Sequence, residues 1–210
     1  MEYIVNRNIE SLEEIINEVP QNFDTLICNN KGLRSLRGID RLPQITRLHV
    51  DNNQIESLQG IVGSNVIHLI IDDNQIESLE HIVGSNVTHL YIDDNQIISL
   101  QGIVGSNVTH LYIENNQITS LEHVIGSNVT HLYISNNQIT SLQGIIGSNV
   151  THLVIENNQI ASLREIVESN VLYLYISSNP CYDEFVELGN SIEKVKERYS
   201  FLDVKDPGFE

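Results

Sequence analysis

From residue 45 onward, apolar and polar residues occupy fixed places in a unit of 21 residues. In the stretch SNVTHLYIDDNQI, residues 85–97, Val87, Leu90 and Ile92 take positions 1, 4 and 6 of the unit, and Ile97, Leu100 and Ile103 take positions 11, 14 and 17. The run His89-Leu90-Tyr91-Ile92 alternates polar and apolar side chains, the period-2 signature of a strand with one buried and one open face. The remaining half, such as SLEHIVGSN, is too short for a long helix. It predicts a 3₁₀ or single-turn piece that Ser78 starts and a left-handed Gly84 ends. No unit can bury its apolar face alone, so the units must stack, one strand each, into a parallel sheet.

The repetition is dense. Asn53, Asn74, Asn95, Asn116, Asn137, Asn158 and Asn179 recur in step with the apolar positions. An asparagine beside the core at a bend is expected to satisfy backbone groups that the turn leaves unpaired. The combined pattern, LxxLxLxxNxL, resembles the leucine-rich repeat family, and the NQIxSL cores are most similar to its phosphatase-regulator class and to the internalins. That resemblance implies an α/β fold: a right-handed solenoid with a concave parallel sheet, a convex side of short turns, and helical caps at both ends. Complete repeats begin at Phe23, Ile45, Val66, Val87, Val108, Val129 and Val150, with a partial one from Val171. The first is 22 residues long and carries Lys31 where the asparagine belongs. Residues 1–22 form the N-terminal cap, 23–181 the repeats and 182–210 the C-terminal cap.

For the first cap, IESLEEIINEVP predicts a helix. Ser11 and Glu14 form a capping box, Leu12, Ile15, Ile16 and Val19 share a face, and Pro20 ends it. For the second, YDEFVELGNSIEKVKERYSFLD predicts two short helices broken near Gly189. Cys28 and Cys181 sit on core positions at opposite ends, about 30 Å apart at a strand spacing of about 4.8 Å, beyond disulfide reach. Positions 15 and 16 also alternate between Gln-Gly and Glu-His, giving a 42-residue superperiod that points to duplication of repeat pairs.

Charge changes the picture of the open face. The chain carries a formal charge of −17, which disfavours nucleic acid and anionic membrane as partners and favours a basic one. Between His49 and Leu163 there are eleven Asp and Glu residues and no Lys or Arg, whereas Lys31, Arg34, Arg37, Arg41, Arg47, Lys194, Lys196 and Arg198 gather at the ends. The outward strand positions form ladders. One reads Arg47, His68, His89, His110, His131, His152, Tyr173, and the other His49, Ile70, Tyr91, Tyr112, Tyr133, Val154, Tyr175. Beside them run Asp51, Asp72, Asp73, Asp93, Asp94, Glu114, Ser135 and Glu156. The expected contact surface is His68, Ile70, Asp72, His89, Tyr91, Asp93, Asp94, His110, Tyr112, Glu114, His131, Tyr133, His152, Tyr173 and Tyr175. Tyrosine offers large contact area at little entropic cost, and an acidic stripe steers a basic partner.

These ladders predict a monomeric, non-catalytic protein-interaction module that acts as adaptor, scaffold or regulatory subunit. The alternative is a pathogen surface or effector protein that adheres to a host receptor. A lesser alternative is a metal- or pH-responsive surface, although identical histidines on a nearly flat sheet do not converge on one ion. No cofactor is expected, and no single place breaks the repetition to assemble nucleophile, base and oxyanion donors. MEYIVNRNIE has neither a basic leader nor an apolar run, and no segment has the length of a membrane span, so an intracellular setting, cytoplasmic or nuclear, is expected. A secreted protein trimmed of its leader would read the same. Asn86, Asn107, Asn128 and Asn149 form glycosylation sequons, but Asn65 and Asn170 hold the same place without one. A turn residue tolerant of left-handed geometry accounts for all six. Glycans on layers about 4.8 Å apart would also collide.

Overall fold

The computed structural model describes residues 1–205; residues 206–210, the end of the expected C-terminal cap, lie outside them. Each repeat contributes one three-residue strand: β2 (Thr25–Ile27), β3 (Arg47–His49), β4 (His68–Ile70), β5 (His89–Tyr91), β6 (His110–Tyr112), β7 (His131–Tyr133), β8 (His152–Val154) and β9 (Tyr173–Tyr175). A further strand, β1 (Glu2–Ile4), precedes them, and the described residues form one parallel sheet in the order β1 to β9. Equivalent residues pair directly, as in His89 with His110 and Tyr91 with Tyr112. Period 2 then sends every central leucine inward. Leu69, Leu90, Leu111, Leu132 and Leu153 are buried, as are the residues at positions 1, 6, 11, 14 and 17 of these layers. A buried aliphatic side chain contributes about 2 kcal/mol, realised here only when a neighbouring layer covers it.

The recurrent asparagine is the main polar joint between layers. Asn95 Nδ2 donates to the carbonyls of Ile92 and Asp93 in its own repeat at 3.3 and 2.9 Å, and to Ile71 of the preceding one at 3.1 Å. Its Oδ1 accepts the Ile76 N–H at 2.9 Å. Asn53 serves the exceptional first repeat from outside, accepting the N–H groups of Lys31 and Leu33. The expected role of the asparagine is therefore seen in full, and Asn53 makes the ordinary bond to the Leu33 N–H of the first repeat with the Lys31 N–H added to it.

Left-handed backbone occurs at Gly84 as expected, but otherwise at places the sequence did not point to. The residues just before the asparagine, including Asp73 (φ 53°), Asp94 (φ 54°) and Asn115 (φ 53°), turn the chain at the strand end. Asn and Asp tolerate that region because their short side chains bond locally. Asn86 and its equivalents do not adopt it. Gly84 (φ 82°) makes that turn instead, while Asn86 Nδ2 donates to the Ser64 carbonyl one layer back at 2.8 Å. The sequon asparagines thus tie layers together through the very nitrogen that a glycan would occupy.

The convex side carries the expected 3₁₀ pieces, at Ile39–Arg41, Glu80–Ile82, Glu122–Val124, Gln143–Ile145 and Arg164–Ile166. Ser78 Oγ accepts the Glu80 N–H at 3.0 Å, the start signal read from its position. At the N-terminus the expected helix shortens to one 3₁₀ turn, Leu12–Ile15. The preceding residues are drawn out against the first repeat: Ile9 N–H donates to the Lys31 carbonyl, and Arg34 N–H to the Glu10 carbonyl. Glu14 Oε1 still accepts the Ser11 N–H at 3.2 Å. β1 covers the edge of β2, helped by a contact of 2.6 Å between the terminal ammonium and Asp24. At the other end α1 (Tyr182–Glu187) and α2 (Ile192–Lys205) are separated by a left-handed Gly189, and Phe185, Ile192 and Val195 are buried over the last repeat. Cys28 and Cys181 are buried free thiols, and burial pushes them up to about 12 and about 11.

Candidate functional site

The concave face is built by stacking. His68, His89, His110, His131, His152 and Tyr173 form one continuous pile of rings, with centroids 4.1–4.4 Å apart and planes within 24° of parallel. Tyr91, Tyr112 and Tyr133 form a second pile at 4.3 Å. Ile70 and Val154 flank it in register, so Tyr175, beyond Val154, stands apart at the sheet edge. Parallel in-register pairing places identical side chains at one strand spacing, and offset stacking of such rings is favourable.

A row outside the expected contact surface holds four of the five histidines in place. Thr88, Thr109, Thr130 and Thr151 each bring Oγ1 to within 2.9–3.0 Å of Nδ1 of the following histidine. The Thr-His dipeptide was the available signal. Nδ1 is thus engaged, and Nε2 is the nitrogen left to the concave side. Burial, followed by neighbouring histidines, lowers His110 and His131 below the ordinary 6.5; burial also lowers His68, with His89 and Arg47 adding to it. His68, His110 and His131 are therefore largely uncharged at neutral pH. Burial, then Tyr91 and Tyr133, push the Tyr112 phenol up to about 12, so its hydroxyl keeps its proton. Rings so nearly parallel aim their nitrogens side by side. Among the described residues no group of three or more His, Cys, Asp or Glu is arranged to hold a metal ion.

The acidic row has a second occupation. Asp72 N–H donates to Asp51 Oδ1 at 3.3 Å, Asp93 N–H to Asp72 Oδ1 at 2.8 Å, and Glu114 N–H to Asp93 Oδ1 at 2.6 Å. These carboxyls form a rung-by-rung ladder at the strand ends, with one oxygen each turned into the fold. Asp94 points along the adjacent turn, where Asn115 Nδ2 donates to it at 3.3 Å. Burial, then repulsion from neighbouring carboxylates, raises Asp72 to about 6 and Asp93 to about 7 from an ordinary 3.8, despite the backbone donors.

A carboxyl raised on folding binds its proton more tightly in the folded state, so between about pH 4 and pH 7 stability from Asp93 falls as pH rises. Asp93→Asn keeps an acceptor for the Glu114 N–H, just as Asn29 Oδ1 serves the Asp51 N–H at 3.1 Å. The variant is expected to be more stable at pH 7.5, by on the order of 1 kcal/mol after allowing for solvent screening. The gain should vanish near pH 4, and thermal melts across that range check it.

Comparison with known proteins agrees with this architecture. Residues 128–148 match the sequence model of the leucine-rich repeat. No curated protein sequence matches the chain. Among solved structures, an internalin C2 from Listeria monocytogenes superposes with a TM-score of 0.63 at 24% identity, covering 75% of this chain and 72% of that one. An internalin (inlF) from the same organism gives 0.68 at 23%, covering 83% of this chain and 53% of that one, so this chain matches about half of its length. At these identities the likeness concerns the fold. With its strand and asparagine ladders set beside these matches, residues 128–148 are similar to the leucine-rich repeat, and the solenoid as a whole resembles in fold those of the internalins.

Proposed function

We propose that the chain is a non-catalytic protein-interaction module whose concave face holds a partner with a basic surface. The observation that carries this reading is the pair of ring piles, half-buried and held in place, bordered by carboxylates along a stretch without any Lys or Arg. Such a face is pre-organised: its rings lose little freedom when a partner arrives, and pre-organisation adds affinity by reducing that loss. Acidic residues not tied into the ladder steer the partner and set its orientation. A face of this kind acts by being occupied, as an adaptor or scaffold that recruits or masks.

The internalin-like fold is equally compatible with adhesion to a receptor, which differs in where the partner is found rather than in which face holds it. Affinity capture with the wild type and with the Tyr91→Ala, Tyr112→Ala, Tyr133→Ala variant tests the reading. A basic protein retained by the first and lost by the second, with the strand circular dichroism unchanged, is the expected result. Equal capture by both would place the contact elsewhere.

A further inference from the structure

The sheet ends differently from the way it runs. In the interior each strand has a parallel neighbour on both sides, and β9 has one only on the β8 side. The N–H of Tyr173 donates to Thr151 O, and Tyr175 O accepts from Ile155 N–H, so both residues turn their backbones toward β8. Strand alternation then turns the backbone of Leu174 outward, together with the Ile176 N–H and the Leu172 carbonyl. Among the described residues nothing pairs with that edge. It also lacks the Pro, Lys or bulge with which exposed edges are commonly blunted.

The edge opens into a cavity of about 450 Å³ between β9 and the turn joining α1 to α2, walled by Leu174, Ile176, Phe185, Ile192, Glu156 and Glu193. That volume is in the range of clefts that seat a ligand or an anchoring side chain. The side chains beside it are unusually open for apolar residues: Leu172 is 66%, Tyr173 57% and Tyr175 62% exposed. Among the described residues the charges in the lining are two carboxylates, Glu156, which accepts from Ser177 Oγ, and Glu193, which accepts from Ser191 Oγ at 2.8 Å.

We propose that this edge is a second binding site, where an extended peptide segment carrying alternating apolar and basic residues adds to β9 as a further strand. The unpaired backbone groups select an extended conformation and the cavity takes one apolar side chain. The carboxylates then favour a Lys or Arg over an acid at the flanking places. Strand addition of this kind draws affinity from main-chain hydrogen bonds and specificity from the pocket that reads alternate side chains. The site adjoins the proposed concave-face contact at Tyr173 and Tyr175, but it rests on the unpaired backbone of β9, to which the Tyr91, Tyr112 and Tyr133 row does not contribute.

The test uses the full chain and a fluorescein-labelled peptide of alternating Val and Lys, with two controls: the same peptide N-methylated at alternate residues, and one with Glu for Lys. Anisotropy should report binding of the Lys peptide only, at least tenfold weaker with Glu193→Lys and unchanged with the triple tyrosine variant. Hydrogen exchange at the Leu174 and Ile176 amides should slow when it binds. Equal binding of the N-methylated peptide, loss with the triple tyrosine variant, or unchanged exchange at those amides would overturn the proposal. So would protection of the same amides without peptide in a concentration-dependent dimer, because a second copy would then be the occupant.

Discussion

Replacing Asn116 with alanine is expected to lower the unfolding free energy by about 4 kcal/mol, among the largest effects of any single polar change in the chain. The side chain is 7% exposed. Nδ2 donates to the carbonyls of Ile92, Ile113 and Glu114 at 3.2, 3.4 and 2.9 Å, and Oδ1 accepts the Ile97 N–H at 2.9 Å. Alanine leaves these backbone groups unserved in a space that water reaches poorly, and each buried unsatisfied group costs about 1–3 kcal/mol. Aspartate at the same place is expected to be worse than alanine. It keeps the acceptor for Ile97 but sets a charge against three carbonyl oxygens. Urea denaturation followed by circular dichroism measures both, and a loss below about 1 kcal/mol for alanine would show that water substitutes for the amide.

Gly144→Ala is expected to cost about 3 kcal/mol, although the residue has an ordinary backbone conformation. A Cβ placed there would lie 2.0 Å from the Leu121 carbonyl oxygen and 2.2 Å from its carbon. The obstruction is backbone of the preceding layer, which cannot swing aside as a side chain would. Gly147→Ala is the control. Its Cβ would meet nothing within 4 Å, so only the strain of φ +72° remains, about 1 kcal/mol. Equal losses from the two substitutions, measured by the same denaturation, would mean that the layers part more easily than this close approach implies.

The same contact gives physical content to the 42-residue superperiod. Gly60, Gly102 and Gly144 each press on the backbone of the layer before them, at Leu36, Leu79 and Leu121. His81 and His123 hold the equivalent places in the alternate layers. The 42-residue period therefore repeats a packing unit along with its sequence. Periodicity alone could reveal the alternation. It could not reveal that one member is a tight joint, because glycine reads equally well as a turn.

Other features divide the same way. The strands from Arg47 to Tyr175, the role of Asn95 and the outward ladders were legible because each rests on a local rule applied many times over. β1 was not, since MEYIV has no repeat to match and becomes a strand only because β2 presents an open edge. The one-turn N-terminal cap was misjudged because apolar spacing over Leu12 to Val19 is helical, while the competing backbone bonds of Ile9 and Arg34 come from the first repeat. At the face, sequence placed Asp72 and Asp93 beside the strands. Their bonds to the next rung's N–H depend on layer spacing, which no single repeat encodes.

For the proposed concave-face contact, in-register stacking sets how a partner docks. Three tyrosines and five histidines at near-identical spacing mean that a bound segment displaced by one layer meets much the same neighbours, so a short ligand has several nearly equivalent frames in which to dock. Leaving one frame puts it at the threshold of the next, which slows escape without deepening any single contact. Ile70 and Val154 are the stops at which the tyrosine row ceases to repeat. Removing one ring therefore deletes a frame and leaves the others in service, and only the whole row, removed together, closes the track.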